Sequence, residues 1–283
     1  MHPKILLQHL LPKQALTRLA GLLASLEAGA LTTKVISWFI KRYQVNMAEA
    51  ANPDIASYKT FNQFFTRPLK QGARPIANAA FICPVDGAIS QFGLIEKDQI
   101  FQAKGHHYST LALVGGNSNL ATQFENGQFA CLYLSPKDYH RIHMPCDGVL
   151  KTMTYVPGDL YSVNPLIAQN IPNLFARNER VVCEFESKQH GTFVMVLVGA
   201  TIVGSMATVW HDGIDGIINP PRIGQIKTWH YSDKKIALKQ GDEMGRFLLG
   251  STVVILFENN KLAFNTNWQP TQAIKLGEMM SVS

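Results

Sequence analysis

The stretch "GRFLLGSTVVILFE", residues 245–258, is the part of the sequence that decides the fold. Apolar residues dominate both of its ends, which is typical of a buried strand. Gly250 and Ser251 interrupt it, although glycine weakens a strand interior and a buried hydroxyl needs a partner. Two interpretations stay open: a bulge in which Ser251 bonds to the backbone, or a strained peptide bond at which Ser251 acts.

Short apolar runs separated by Gly, Pro, Asn and Asp fill the sequence from residue 80 onward and predict strands. Residues 192–210 carry no charge, but they are rich in Val, Thr and Gly. We interpret them as two consecutive buried strands divided by Gly199 and Gly204, not as a membrane span. The only convincing helix in this part is short and lies near "YSTLALVGG", residues 108–116.

An internal echo suggests how these strands are arranged. "PVDGAI" at 84–89 and "PCDGVL" at 145–150 share an Asp-Gly turn that leads into apolar residues. The echo indicates two similar β halves, as in barrel-sandwich folds. We therefore expect an α+β protein, mainly β, with a barrel-sandwich-like antiparallel core and N-terminal amphipathic helices.

The first 76 residues differ from the rest in pattern and charge. Leu16, Leu19, Leu23 and Leu26 recur on one helical face, and a second predicted helix carries Trp38-Phe39 beside Lys41-Arg42. These helices either pack on the core or lie at a membrane interface. No apolar run approaches the roughly 18 residues of a span, and no signal peptide is expected. We divide the chain into a membrane-associating helical region, 1–76, and a β-rich catalytic domain, 77–283.

Composition narrows the possible partners. Residues 1–76 hold ten Lys and Arg against three acids, in a chain of 283 residues with net charge +6. This surplus indicates an anionic partner, and a membrane surface fits better than nucleic acid because the basic residues alternate with Leu and Ile. The four cysteines lie far apart without a C-x-x-C pair, which predicts reduced cytosolic thiols.

Polar candidates for chemistry cluster in "KDYHRIHMPCDG", residues 137–148. Asp138, His140 and His143 stand within six residues, which is consistent with a polar sheet edge or with a catalytic site. A third and fourth metal ligand are lacking at a recognisable spacing, so no metal is predicted. Asp86, which precedes Gly87, is either an Asx turn or part of the same site.

Together these motifs resemble the pyruvoyl-dependent phosphatidylserine decarboxylases of the shorter bacterial and mitochondrial type. The resemblance covers nearly the whole chain, and L-G-S-T in its strand context is specific. It rests on "FNQFFTRPLKQGARPI", "CPVDGAI", "YLSPKDYHRIHMPCDG", "VLVGATIVGS" and "KQGDEMGRFLLGSTVV".

The resemblance implies that the chain cuts itself between Gly250 and Ser251. The Ser251 hydroxyl would attack the Gly250 carbonyl to form an ester, and elimination would leave dehydroalanine. Its hydrolysis would yield a pyruvoyl group at residue 251 and ammonia. The products would be a β chain, 1–250, and an α chain, 251–283, that stay together as a heterodimer, with further dimerisation left open.

The resemblance also implies roles for individual side chains. Asp86 would orient His143, which would be the base for Ser251, with Asp147 as the alternative carboxylate. His140 would serve in decarboxylation, in which the pyruvoyl group forms a Schiff base with phosphatidylserine and phosphatidylethanolamine and CO₂ are released. Neither pyridoxal phosphate nor a metal is needed. Tyr133 is the candidate for substrate binding.

For such an enzyme of phospholipid biosynthesis we expect peripheral attachment to an anionic membrane surface, on the cytoplasmic face of the inner membrane. Two alternatives differ in class: a non-enzymatic membrane-associated relative and a serine hydrolase. The intact L-G-S-T and both histidines disfavour the first. The second lacks G-x-S-x-G and would place its serine mid-strand.

Overall fold

The computed structural model describes residues 5, 6, 8, 11–201, 206–211, 217–218, 224–248 and 252–281. Gly204, Gly250 and Ser251 therefore lie outside the described residues. Phe247 and Thr252, on either side of the Gly250–Ser251 bond, are described.

The longer helices lie before the first strand, the later ones are four to six residues long, and several of the short helices have a polar N-cap. The Thr60 hydroxyl accepts a hydrogen bond from the Gln63 amide at 3.1 Å, and Asn164 caps a helix that begins with Pro165. The helices are α1 Lys13–Ser25, α2 Ala30–Tyr43, α3 Phe61–Phe65, α4 Thr110–Leu113, α5 Ser118–Gln123, α6 Pro165–Ala168 and α7 Leu174–Arg177. The helix expected near residues 108–116 is α4, but α5, α6 and α7 were missed because each is too short to show a helical period.

The leucine face of α1 points outward, not toward the core. The buried residues of α1 are Thr17 and Ala24, whereas Leu22 is 66% exposed. We call the exposed set on α1, α2 and their connection the outer apolar surface: Leu19, Leu22, Leu23, Leu26, Leu31, Val35 and Trp38. Such a continuous exposed apolar set is typical of an interaction surface.

The inner side of α2 is anchored by aromatic packing. Ile36 is fully buried with Phe64 and Phe65 of α3. The ring of Phe39 meets that of Phe61 at 5.0 Å, edge to face. This packing fixes α2 so that its other side remains exposed.

No single described helix is both long and apolar enough to cross a bilayer. Taken together, α1 and α2 reach the length and hydropathy of a span, but they are bent by 116° at the break between them. Length and composition alone are weak support for a span.

The strands of the β region pair antiparallel throughout their ladders. They are β1 Gly87–Leu94, β2 Gln99–Ala103, β3 His106–Ser109, β4 Gln128–Tyr133, β5 Arg141–His143, β6 Gly148–Val156, β7 Arg180–Ser187, β8 Gly191–Val198, β9 Met206–Thr208, β10 Ile217–Ile218, β11 Lys227–His230, β12 Ala237–Leu238, β13 Glu243–Phe247, β14 Thr252–Phe257 and β15 Ala273–Ile274. A nine-stranded sheet has the order β11-β6-β7-β8-β14-β4-β1-β15, with β12 beside β6. A second sheet has the order β10-β9-β13-β5, and β2 pairs with β3.

Strand β14 lies at the centre of the large sheet and is buried on both faces. Val253 and Ile255 belong to one apolar cluster, while Val254 and Leu256 belong to the cluster on the opposite face. Alternating side chains of a strand point to opposite faces, so this strand binds two core layers together. The expected mainly-β α+β fold is confirmed, although the described strands close no barrel.

The single strand expected over residues 245–258 is wrong. Strand β13 ends at Phe247 in the four-stranded sheet, and β14 begins at Thr252 in the nine-stranded sheet. The same division separates β8 from β9 within residues 192–210. Apolar periodicity reports that each half is buried, but it carries no information about which sheet each half joins.

The internal repeat at residues 84–89 and 145–150 corresponds to two equivalent local structures. A second repeated motif accompanies it in the C-terminal part of the chain. "ALKQGDEM" at 237–244 and "AIKLGEMM" at 273–280 share A-x-K-x-G-x-x-M. The Asp86 carboxylate accepts the Leu276 amide at 2.9 Å, and Asp147 accepts the equivalent Gln240 amide at 2.8 Å. Each Asp-Gly turn is thus locked by one copy of the second motif.

We expect Gly87→Ala to lower stability, because an added Cβ at this position would meet the backbone carbonyl oxygen of Tyr133 well inside contact distance. Overpacking of this kind costs about 1–3 kcal/mol, or roughly 2–10 °C in melting temperature. Gly21→Ala is the control, since Gly21 is helical and has no neighbour within 4 Å. Thermal unfolding of the three proteins measures the difference, and equal melting temperatures for Gly87→Ala and the wild type would contradict the register of β1.

Candidate active site

The Gly250–Ser251 bond is flanked by two strands that are each held by site residues. On one side, the Phe247 amide of β13 donates to the His140 carbonyl at 3.0 Å, and β13 pairs with β5, which carries His143. On the other side, Thr252 of β14 pairs with Tyr133. The fold therefore brings both histidines and Tyr133 to the two ends of this short segment.

His143 has the tautomer that a general base requires. Its Nδ1 lies 2.8 Å from the Gly241 carbonyl oxygen, and its Nε2 lies 3.0 Å from the Tyr139 hydroxyl. A carbonyl can only accept, so Nδ1 carries the proton and Nε2 accepts from Tyr139. Burial lowers the pKa of His143, while the nearby charges of Glu243 and Asp86 raise it. The ring is thus a neutral acceptor at Nε2.

Asp86 is held in a buried ion pair that the sequence did not indicate. Its carboxylate accepts from Nε of Arg74 at 2.9 Å, and Nη2 of Arg74 bonds to Asp86 and to Glu49. The hydrogen bond to Asp86 raises the pKa of Arg74, and the bond from Arg74 lowers the pKa of Glu49. In the described part of the chain Asp86 bonds to Arg74 and Leu276, not to His143. Its action on His143 is electrostatic.

His140 is fully buried, with one ring nitrogen free. Its ring packs 4.1 Å from that of Phe65, and Nδ1 donates to the Asp138 carbonyl at 2.8 Å. Nε2 has no hydrogen-bond partner among the described residues. Burial lowers the pKa of His140 to about 3. A buried acceptor without a partner is costly, so this atom is a candidate to bind a further group.

A cavity of about 740 Å³ adjoins this site. Its lining residues include Asp86, Arg74 and Tyr133, and also Gln44, which directly follows α2. Burial raises the pKa of Tyr133, so its hydroxyl is a neutral donor. The cavity is large enough for a lipid headgroup and lies between the helical region and the large sheet.

The two Asp-Gly turns are not equivalent in function. Asp147 is exposed and does not line the cavity, whereas Asp86 is 6% exposed and does. The geometry therefore favours Asp86 over the alternative carboxylate.

A family model described as phosphatidylserine decarboxylase matches residues 61–281. The chain belongs to the phosphatidylserine decarboxylase family. A relative named phosphatidylserine decarboxylase proenzyme, from Dechloromonas aromatica, is 70% identical over 98% of this chain and 96% of its own. Another of that name, from Methylobacillus flagellatus, is 68% identical over 97% of both chains. A second family model, described only as PSD, matches residues 3–44.

Membership of the phosphatidylserine decarboxylase family confirms the predicted family and, with it, an enzyme of the carboxy-lyase class. Of the predicted site residues, His140 contacts Phe247 and Tyr133 pairs with Thr252, on either side of the cleavage bond, while Asp86 lines the cavity with Tyr133. Gly250 and Ser251 lie outside the described residues. The roles assigned to these residues stay predictions. Among the described residues no group of three or more His, Cys, Asp or Glu is placed to hold a metal ion. All four cysteines are buried and unpaired.

Sequence reasoning missed the residues that hold the site. Arg74 stands in the quoted motif "FNQFFTRPLKQGARPI", but nothing in that motif indicates its partner. Tyr139, between Asp138 and His140, was not among the predicted site residues. Gly241 and Leu276 belong to the repeated A-x-K-x-G-x-x-M motif, and a search for that repeat would have found both.

Replacing Arg74 by Met tests whether the ion pair supports the site. The change leaves the buried Asp86 carboxylate without its cation, which costs about 3–5 kcal/mol in the free energy of unfolding. Arg177→Met is the matched control, because Arg177 forms a half-exposed pair with Asp159 that is worth about 0–1 kcal/mol. Denaturant unfolding compares the two, and losses of equal size would show that Arg74 is not a buried anchor.

Proposed function

We propose that this protein decarboxylates phosphatidylserine to phosphatidylethanolamine and CO₂, using a pyruvoyl group made from Ser251 by autocatalytic serinolysis. The observation that carries the proposal is that the described strands on either side of Gly250–Ser251 contact site residues: the Phe247 amide of β13 donates to the His140 carbonyl, and Thr252 of β14 pairs with Tyr133, which lines a headgroup-sized cavity. His143, in the strand β5 that pairs with β13, has the tautomer of a base. The proenzyme in the relatives' names fits a chain that is cut during maturation.

His143 is the base in the cleavage step. It takes the proton of the Ser251 hydroxyl at Nε2, and the hydroxyl oxygen bonds to the Gly250 carbonyl carbon. The amide C–N bond then breaks as the same proton passes to the Ser251 nitrogen, which leaves an ester and a free amine. The Tyr139 hydroxyl donates a hydrogen bond to His143 Nε2, so the Ser251 hydroxyl must displace it. The carbonyl of Gly241 holds Nδ1–H, and the Asp86 charge stabilises the imidazolium that forms.

The fold keeps the C-terminal piece in place after the cut. Strand β14 is paired along its whole length with β4 on one side and β8 on the other. Strand β15 pairs with β1, and the Leu276 amide bonds to Asp86. The α chain, 251–283, therefore remains bound to the β chain, 1–250, as a heterodimer.

The residues around the segment fit a pyruvoyl group at position 251. His140 Nε2 and Thr252 Oγ1 are both buried without a hydrogen-bond partner in the described residues, and Thr252 directly follows this position in the chain. A pyruvoyl ketone supplies a carbonyl that takes up the substrate amine and accepts the electron pair released with CO₂.

His140 handles the substrate proton. Because it is neutral with a free Nε2, it accepts the proton of the substrate ammonium and returns it to the carbon that has lost CO₂. The negative charge of the substrate offsets the burial that keeps this ring neutral.

Gel electrophoresis with intact mass measurement tests cleavage, and a CO₂ assay on the same preparations tests decarboxylation. We expect two pieces from the wild type, the smaller being residues 251–283, and one uncut inactive chain from Ser251→Ala. His143→Ala should accumulate precursor, because no base remains. His140→Ala should be cut, at least partly, and turn over about 10²–10⁴ times more slowly. His230→Ala, at an exposed position in β11, is the control.

A wild-type protein that is fully active without being cut would contradict the pyruvoyl proposal. If His140→Ala stays whole while His143→Ala is cut normally, the two roles are reversed.

We further propose that residues 1–76 attach the enzyme to an anionic membrane, on the cytoplasmic face of the inner membrane. The outer apolar surface supports this, because Leu and Trp side chains are exposed beside Lys34, Lys41 and Arg42. Further dimerisation could add to the attachment, but no observation on the described residues requires it.

The triple variant Leu19→Ser, Leu22→Ser, Leu23→Ser should bind anionic liposomes at least about tenfold more weakly, since burying a leucine contributes about 1.5–3 kcal/mol. High salt should weaken but not abolish binding of the wild type. Ile226→Ser is the control, because Ile226 is equally exposed but lies outside the outer apolar surface. Liposome flotation gives the readout, and equal binding of the triple variant would place the attachment elsewhere.

A further inference from the structure

Arg67 is a buried cation that forms no ion pair with a described carboxylate. Its side chain is 3% exposed, and Nε has no hydrogen-bond partner in the described residues. Nη1 reaches the Phe64 carbonyl only at 3.5 Å, and the guanidinium lies 5.3 Å from the Phe64 ring centroid. Burial lowers the pKa of Arg67. A buried guanidinium without an ion pair is costly, so we expect an anion to bind Arg67.

The cavity lined by Asp86 and Tyr133 is where such an anion can reach Arg67. Arg67 lines its wall, together with three other cations. Two of these, Arg74 and Lys275, form ion pairs with Glu49. Lys137, at an exposed position, makes no ion pair with a described carboxylate, and neither does Arg67. The same wall carries four carboxylates, Glu49, Asp86, Asp138 and Glu278, but none of them forms a described ion pair with Arg67 or Lys137.

We propose that Arg67, assisted by Lys137, binds the phosphodiester of the substrate headgroup and so selects a phospholipid. This inference rests on the proposed function. Arg67 is close to the reacting groups, since its charge acts on His140 and the charge of Asp86 acts on it. A planar guanidinium offers two parallel donors to a phosphate, which a point charge does not.

The substrate also carries a carboxylate, but that group is the weaker candidate. Its negative charge leaves the carboxylate as neutral CO₂ forms. A buried guanidinium bound to it would stabilise the substrate more than the transition state, and would slow the reaction. The phosphodiester keeps its charge from substrate to product, so binding it through Arg67 costs no rate.

Calorimetry with dihexanoyl phosphatidylethanolamine tests the assignment, because this product has the phosphodiester but lacks the carboxylate. The proteins are the full-length wild type, Arg67→Gln, Arg67→Lys and the control Arg177→Gln, whose charge is paired with Asp159. We expect Arg67→Gln to weaken binding about 10- to 100-fold, as for loss of hydrogen bonds to a charged group, and Arg67→Lys to weaken it less. KM for dihexanoyl phosphatidylserine should rise by a similar factor with kcat within about threefold, since uniform binding is lost.

If KM rises while product binding is unchanged, Arg67 binds the carboxylate and the inference is wrong. An effect on binding of inorganic phosphate alone, with none on the lipid, would also overturn it. Where Arg67→Gln is not cut, the same titration is made on Ser251→Ala with and without Arg67→Gln, which needs no maturation. The gel tests cleavage and the CO₂ assay tests decarboxylation, so failure of the proposed function is seen separately from failure of this titration.

Discussion

The guanidinium of Arg74 joins parts of the chain that lie far apart in sequence. It bonds to Glu49 of the N-terminal region and to Asp86 at the entry to β1, and Asp86 in turn accepts the Leu276 amide. The helical region, the large sheet and the C-terminal segment therefore meet at one buried carboxylate. Charged groups removed from water must be fully paired, so this contact is sensitive to the position of every partner. It holds the cavity wall in place, and it positions the charge that acts on His143.

Cleavage of a chain inside its core is compatible with this arrangement because the two strands at the cut belong to different sheets. Strand β13 is held by β5 and β9, while β14 is held by β4 and β8. Neither depends on the covalent link for its pairing. The new ends therefore do not expose an unpaired strand edge, and the apolar residues of β14 remain between two core layers.

The sequence predicted turns, helices and buried strands well, but it predicted poorly which sheet each strand joins. The Asp-Gly turn before Gly87 and the leucine period of α1 are local signals, and both correspond to described structure. The assignment of residues 245–258 to one strand failed because sheet membership depends on distant partners. For the same reason the sequence placed Asp86 and His143 in one site but could not show that Arg74 binds the first and Gly241 the second. The local sequence pattern indicates which residues are buried and where the chain turns. The partners of charged and polar side chains depend on tertiary contacts, which that pattern does not show.

The tautomers of the two histidines constrain the order of the proposed events. Each ring donates Nδ1–H to a backbone carbonyl, so each has only Nε2 for chemistry, and burial keeps both neutral. Neither ring can begin as an acid. In the proposed mechanism a proton must first reach it, from the Ser251 hydroxyl in one case and from the substrate ammonium in the other. The Tyr139 hydroxyl bonds to Nε2 of His143, whereas Nε2 of His140 has no hydrogen-bond partner among the described residues. The proposed cleavage base would therefore be reached only by a group that displaces the Tyr139 hydroxyl, while the proposed second base has no described group to displace.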